Sequence, residues 1–219
     1  MKKIAINFLA VLFISALSFT KAFAAEWTMG VSGAIVDLQA EGSETETGSQ
    51  TAETTSASVS NLFGIGSVFV EAKYDKFALG VDYVPFDADV SDATHTRTDT
   101  ETSVTGTTTE TTTKRAQSAQ AEIENHMTLY ATYELAEGFY IKGGYVQVDL
   151  NTLESLATGS KYGNETVNGL LIGAGFESDM ADNMFVRGEV SFTDYDDVSL
   201  RSSVKRTGVT SANLIEADL

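Results

Sequence analysis

The chain has 219 residues, 42% hydrophobic and 21% charged, with 18 Gly, one Pro and no Cys, a length that suits one domain or a compact pair. Its 14 Lys+Arg against 31 Asp+Glu leave a formal charge of −17, which removes nucleic-acid binding, because that needs a basic footprint. Thiolate metal sites, redox pairs and disulfides are absent for want of cysteine, and a mean hydropathy of −0.04 excludes a bundle of apolar transmembrane helices but not a barrel.

At the N-terminus, Met1-Lys2-Lys3, an apolar run from Ile4 to Leu17 and the small-x-small triplet Ala22-Phe23-Ala24 have the layout of an export signal. The run is shorter than the ~20 residues a spanning helix needs, so residues 1–24 are expected to be a cleaved signal peptide and 25–219 one domain. Losing Lys2, Lys3 and Lys21 takes the charge from −17 to −20.

From Glu26 onward the period is two, the period of strands. Strands are predicted at 26–38, 61–74, 77–89, 122–135, 139–150, 166–178, 184–196 and, weakly, 208–219. Short connections at 75–76, 136–138 and 179–183 alternate with long ones at 39–60, 90–121, 151–165 and 197–207, rich in Thr, Ser, Asn or charge. Short turns at one end and long loops at the other describe an antiparallel up-and-down meander with the sidedness of an outer-membrane barrel.

One face of each strand carries no charge: Trp27 to Ile35 (odd), Leu62 to Tyr74 (even), Phe77 to Tyr83, Met127 to Leu135, Phe139 to Tyr145, Leu170 to Phe176 and Met184 to Phe192. The opposite faces carry Glu71, Lys73, Asp82, Glu134, Lys142, Glu177, Arg187 and Glu189, with His126. If the apolar faces point outward, Trp27, Tyr74, Phe77, Tyr133, Phe139 and Phe176 form one aromatic girdle beside the short turns. Tyr83, Tyr145 and Phe192 form a second toward the long loops, the two levels a bilayer selects. Turn lengths agree with these parities. A two-residue turn at Asp75-Lys76 pairs Tyr74 with Phe77, and a three-residue turn ending at Gly138 pairs Leu135 with Phe139.

Thr94, Thr96, Thr98, Thr100 and Thr102 alternate strictly, which predicts either a hairpin with its tip at Gly106 or a disordered loop. The hairpin register matches Tyr83 with Leu129 and Leu79 with Tyr133. Residues 41–60 read as flexible, and Pro85, lacking a ladder donor, belongs near the upper rim.

The segments Asn168-Gly-Leu-Leu-Ile-Gly-Ala-Gly-Phe-Glu177, Asp182 to Val190 and Phe192-Thr-Asp-Tyr-Asp-Asp-Val198 resemble the closing strands of small OmpA-like, opacity-type outer-membrane β-barrel proteins of Gram-negative bacteria, and Phe139-Tyr-Ile-Lys-Gly-Gly-Tyr145 resembles their fifth strand. The resemblance implies an eight-stranded transmembrane barrel in the outer membrane, variable surface loops and no enzymatic site common to the family. Such barrels finish on an aromatic residue, whereas here Ile215-Glu-Ala-Asp-Leu219 alternates poorly; an incomplete last strand is expected.

Eight strands enclose a lumen that side chains fill, so the eight inward charges are expected to pair with one another. The working expectation is a monomeric structural or adhesive surface protein in contact with lipid, lipopolysaccharide and an extracellular partner. The alternatives are a small cation-preferring pore, a lipocalin-like soluble carrier and a lipid-modifying barrel enzyme. Catalytic residues, cofactor and metal are expected to be none: His126, Ser191 and Glu189 lack a nucleophile-base-orienter spacing, Asp194, Asp196 and Asp197 match no calcium loop, and Gly173 and Gly175 precede no helix that could bind phosphate.

Overall fold

A computed structural model describes residues 9–19, 25–47, 52–90, 94–105, 109–156, 160–182, 184–203 and 214–218. The chain is all-β and antiparallel. Its elements are β1 (Leu9–Phe19), β2 (Glu26–Thr47), β3 (Ala52–Tyr74), β4 (Phe77–Val84), β5 (Ala88–Asp89), β6 (His95–Thr105), β7 (Thr109–Ala119), β8 (Ala121–Ala136), β9 (Phe139–Thr152), β10 (Glu165–Ala181), β11 (Met184–Tyr195), β12 (Val198–Arg201) and β13 (Leu214–Asp218).

Neighbours in sequence are neighbours in space: β2, β3, β4, β8, β9, β10 and β11 form an up-and-down sheet. By themselves these seven strands leave β2 and β11 as edges. β1 pairs with both, from Leu9↔Ser191 to Ile14↔Val186 on one side and from Ala10↔Ile35 to Phe19↔Trp27 on the other. The expected signal segment therefore supplies a staff of the sheet, while the cleavage triplet at 22–24 lies outside the described residues. Above β1, β13 runs along the same edge of β2, Leu214↔Thr45 to Asp218↔Glu41.

The apolar faces point outward. Leu62, Tyr74, Leu79, Leu129, Leu135, Phe139, Leu170 and Ile172 are each exposed, although such side chains are ordinarily the first to be buried. Along β2 the outward apolar run is Trp27 to Ile35, nine residues. At about 3.3 Å per residue and about 40° of tilt it is about 23 Å tall, close to the ~25 Å band of a membrane barrel. Trp27, Tyr74, Phe77, Tyr133, Phe139 and Phe176 are exposed at its lower edge and Tyr83 and Tyr145 at its upper edge; Phe192 is half-buried.

Three local expectations are corrected. Residues 41–60 are not a free loop, because the β2–β3 ladder continues to Thr47↔Ala52 and only 48–51 lie outside the description. The turn at 136–138 has two residues, with Ala136 opposite Phe139, Gly138 at φ +76° and the spare residue, Leu135, taken up as a bulge. The register of β4 on β8 is Tyr83↔Met127 and Phe77↔Tyr133, two residues from that expected. The slip is absorbed above the ladder, where Pro85 ends β4 and Asn125, at φ +51°, bulges β8. The Thr-rich stretch is the separate two-stranded ribbon β6–β7, closing at Thr105↔Thr109, and its tip at 106–108 lies outside the described residues.

Candidate functional site

Inward positions alternate with the outward belt, so the lumen is lined by every second residue of each strand. From the short-turn end upward β3 offers Lys73, Glu71, Phe69 and Ser67. β8 offers Glu134, Thr132, Tyr130 and Thr128; β9 offers Tyr140 and Lys142; and β11 offers Phe185, Arg187, Glu189 and Ser191.

Arg187 is the hub. Its Nη1 and Nη2 donate to the two oxygens of Glu71 at 3.1 and 3.0 Å, a fork-on-fork pair, while Nε donates to Glu177 at 3.0 Å and Nη2 reaches the same carboxylate. Planar bidentate recognition is what a guanidinium does and an ammonium cannot. Phe185, Tyr140 and Phe69 surround it, with ring centroids 5.2, 5.1 and 5.7 Å from its Cζ. Lys73 lies looser beneath, 3.5 Å from Glu177 and 3.7 Å from Glu134. A second set stands beside the first: Lys142 Nζ is 2.9 Å from Glu189, lies over the Tyr130 ring at 4.2 Å, and shares Glu189 with the Tyr140 hydroxyl, which donates at 2.8 Å. Tyr130 donates to Glu71 at 3.1 Å and joins the two sets. Of the eight charges predicted to line the lumen, Asp82 stands apart, accepting from Ser67 Oγ at 2.7 Å.

Sequence reasoning missed Phe69, Tyr130, Tyr140 and Phe185, which share the parity of the charges. Their signal lies across the ladder: Phe69 is opposite Gly30, Tyr130 opposite Gly80, and Tyr140 opposite Gly175. Each aromatic lies over the glycine across the ladder, an arrangement that covers exposed backbone and pins register. A Cβ on Gly175 would sit 2.3 Å from Tyr140 Oη and 2.6 Å from the Gly188 carbonyl oxygen. Gly175→Ala is therefore expected to cost about 1–3 kcal/mol through overpacking and to free the hydroxyl from Glu189. Urea unfolding in lipid vesicles measures the first, and Tyr140→Phe in the same background separates the second.

Above the charged tier the interior turns apolar. Leu38, Val146, Val148, Leu150, Val167, Leu171, Val198 and Leu200 form one buried cluster with Val90. Below it, two polar cavities of about 610 and 460 Å³ share Glu71, Lys73, Glu177 and Asp179 and reach turn residues such as Lys76, Glu137 and Asp182.

His126 Nε2 is 3.5 Å from Thr128 Oγ1, and Glu189 is held by Lys142 and Tyr140. Asp194, Asp196 and Asp197 are not among the gathered carboxylates; among the described residues the group that gathers is Asp87, Glu122 and Glu124, at the upper rim. There burial first, then Asp87, Glu124 and Asp89, raises the Glu122 carboxyl above its ordinary value. Asn164 Oδ1 accepts from the Thr152 amide at 3.2 Å and ties down the β9–β10 connection.

Asp149 at the same rim is held below its ordinary 3.8 by hydrogen bonds first from Asn125 and then from Thr166. A depressed carboxyl contributes stability that is full above the unfolded value and lost as pH falls through the folded one. The protection factors of amides around Asp149 (exchange corrected for its intrinsic pH dependence) are therefore expected to be constant well above the ordinary 3.8 and to fall as pH drops below it, and Asp149→Asn is expected to remove that fall.

No family model matches the chain, and no curated protein matches it. Among solved structures, OmpT (in-vitro folded), an outer membrane protein of Vibrio cholerae, aligns at 16% identity over 99% of this chain and 61% of that one, with TM-score 0.26. A loop L8 deletion mutant of the same protein aligns at 15% identity over 92% and 56%, with TM-score 0.24. The chain thus spans about three-fifths of the length of the structures it matches. Both structural neighbours are described as an outer membrane protein, and membership of an OmpA-like or opacity-type family is not shown. The expectation that the chain is not an enzyme is also corrected: its neighbours are OmpT structures, so the exclusion of catalysis is withdrawn, and TM-scores of 0.26 and 0.24 carry no reaction over to this chain.

Proposed function

We propose that residues 1–24 direct export and that the chain is an integral outer-membrane barrel, its surface role carried by the structure above the belt. The observation that carries the reading is the reversal of burial. Exposed Leu, Val, Ile and Met side chains on seven adjacent strands enclose Arg187 and Glu189, which are 4% and 5% exposed. A soluble carrier would place those apolar side chains inside and the ions in water. Lipid acyl chains cover the belt, aromatic residues stand at both interfaces, and lipopolysaccharide surrounds the acidic rim. The pore alternative draws on the cavities at the short-turn end, which the paired charges line; above them the interior is the buried apolar cluster of Val146 and Val148.

Two measurements test this reading. The protein extracted from membranes should partition into detergent and migrate faster unheated than boiled; an aqueous-phase protein without heat-modifiable migration refutes it. In planar bilayers the same material should show no stable conductance steps, and reproducible unitary steps would move the assignment to a pore.

A further inference from the structure

Along β2, β9 and β10 the sidedness that defines the membrane belt reverses partway up the strand. On β2 the outward residues are apolar up to Ile35 and then become Asp37, Gln39 and Glu41, while the inward ones change from Thr28, Gly30 and Ser32 to Val36 and Leu38. On β9 the outward series passes from Tyr145 to Gln147 and Asp149 and the inward one from Lys142 to Val146, Val148 and Leu150. β10 repeats the change with Leu171 and Val167 inward against Asn168 and Thr166, and β12 adds Val198 and Leu200. The upper part of the sheet is thus built like a water-soluble protein, with polar groups outside and a dry centre.

We infer that this apolar tier, and not the ion-pair tier, is what seals the lumen against the outside, so that water meets the ion pairs from the short-turn side. The inference rests on the membrane-barrel reading and goes one step further. Val146 and Val148 are 0% and 1% exposed and lie at the centre of the cluster, so no space remains there for water. Both polar cavities lie on the other side, one reaching up to Arg187, Tyr140 and Thr132 and the other to Glu71 and Phe185. A closed apolar constriction excludes ions by dewetting, at no cost in buried charge. The ion pairs, in turn, stay within reach of solvent on one side, which lowers the penalty of placing them inside.

The absence of cysteine allows a direct test. Ser191 is 7% exposed and lies on β11 above Glu189 and below Tyr195, between the two tiers. Ser191→Cys would be introduced into the full chain in vesicles whose orientation is established by protease trimming of the loops, and a membrane-impermeant maleimide added on the loop side. The thiol should be protected in the parent protein. It should stay protected when the charged tier is weakened by Arg187→Met with Glu71→Gln. With Val148→Ser and Val198→Ser its labelling should rise by about tenfold or more as the constriction wets. Where that double variant fails to give the heat-modifiable band, the isosteric Val148→Thr serves, with a smaller rise in the same direction. Loop-side labelling of the charged-tier variant, or none in a folded apolar-tier variant, overturns the inference and leaves the barrel reading standing. Partition of the parent protein into the aqueous phase defeats the barrel reading whatever the labelling shows.

Discussion

Arg187→Met is expected to destabilise the folded barrel by about 3–5 kcal/mol, the cost of stranding buried carboxylates without their cation. Glu71 is 3% exposed and takes both forks of the guanidinium, and Glu177 takes Nε. Deleting the cation leaves Glu71 with Tyr130 as its remaining hydrogen-bond donor among the described residues. Lys73 already serves Glu177 and Glu134 at 3.5–3.7 Å and is too far committed to replace it. Arg187→Lys should recover only part of the loss, since an ammonium cannot reproduce two parallel hydrogen bonds. The decisive comparison is Arg187→Met with Glu71→Gln and Glu177→Gln: with no unpaired charge left, stability should return to within about 1–2 kcal/mol of the parent. Trp27, the single tryptophan, sits exposed in the outward belt, so its fluorescence reports urea unfolding out of vesicles. A single variant as stable as the parent would show that the hub contributes no net cohesion.

How much of this could be read from the sequence depends on which property fixed it. The outward belt was legible strand by strand, because period-two alternation of uncharged residues is a property of each segment alone, and the exposed sets run from Trp27 to Val190 as the alternation demands. The tight turn at Asp75-Lys76 was legible for the same reason: Tyr74 pairs with Phe77 across it. The upper half was not. Val146-x-Val148-x-Leu150 and Val36-x-Leu38 continue the alternation on the opposite parity, and a reader who assigns one face to lipid along the whole strand takes them for noise. Ladder phase was likewise hidden between β4 and β8, since the bulge at Asn125 and the stop at Pro85 change the pairing without leaving a periodic trace.

The lumen was half legible. Charge identifies Glu71, Lys142, Arg187 and the rest, but partner choice depends on shear between strands, which no single segment encodes; Asp82 turning to Ser67 rather than to a cation is such a case. The aromatics over Gly30, Gly80 and Gly175 depend on cross-strand opposition in the same way. They become visible only when register is known.

The largest expected effect belongs to Leu9–Phe19. Export signalling and sheet closure make opposite demands on it: one discards the segment, the other requires it between β11 and β2. A chain of residues 25–219 exposes the β2 edge from Trp27 to Ile35 and the β11 edge from Val186 to Ser191, both at the level of the apolar belt. Each unpaired backbone group in hydrocarbon costs several kcal/mol, so summed over either edge the penalty exceeds the ~5–15 kcal/mol of a whole domain's stability. Refolding of 25–219 into vesicles should therefore give little or no heat-modifiable band, whereas 1–219 should give it, and Ile14→Cys with Val31→Cys, opposite one another in the ladder, should form a disulfide in the latter. If 25–219 folds as well as the full chain, β1 is dispensable and some other strand antiparallel to β2 fills the seam. β13 marks where such a strand would lie, since it already runs along that edge from Thr45 to Glu41 in the direction β1 takes below it. Intact mass of the membrane-extracted protein then decides which state cells make, because retention of residues 1–24 and their removal leave different barrels.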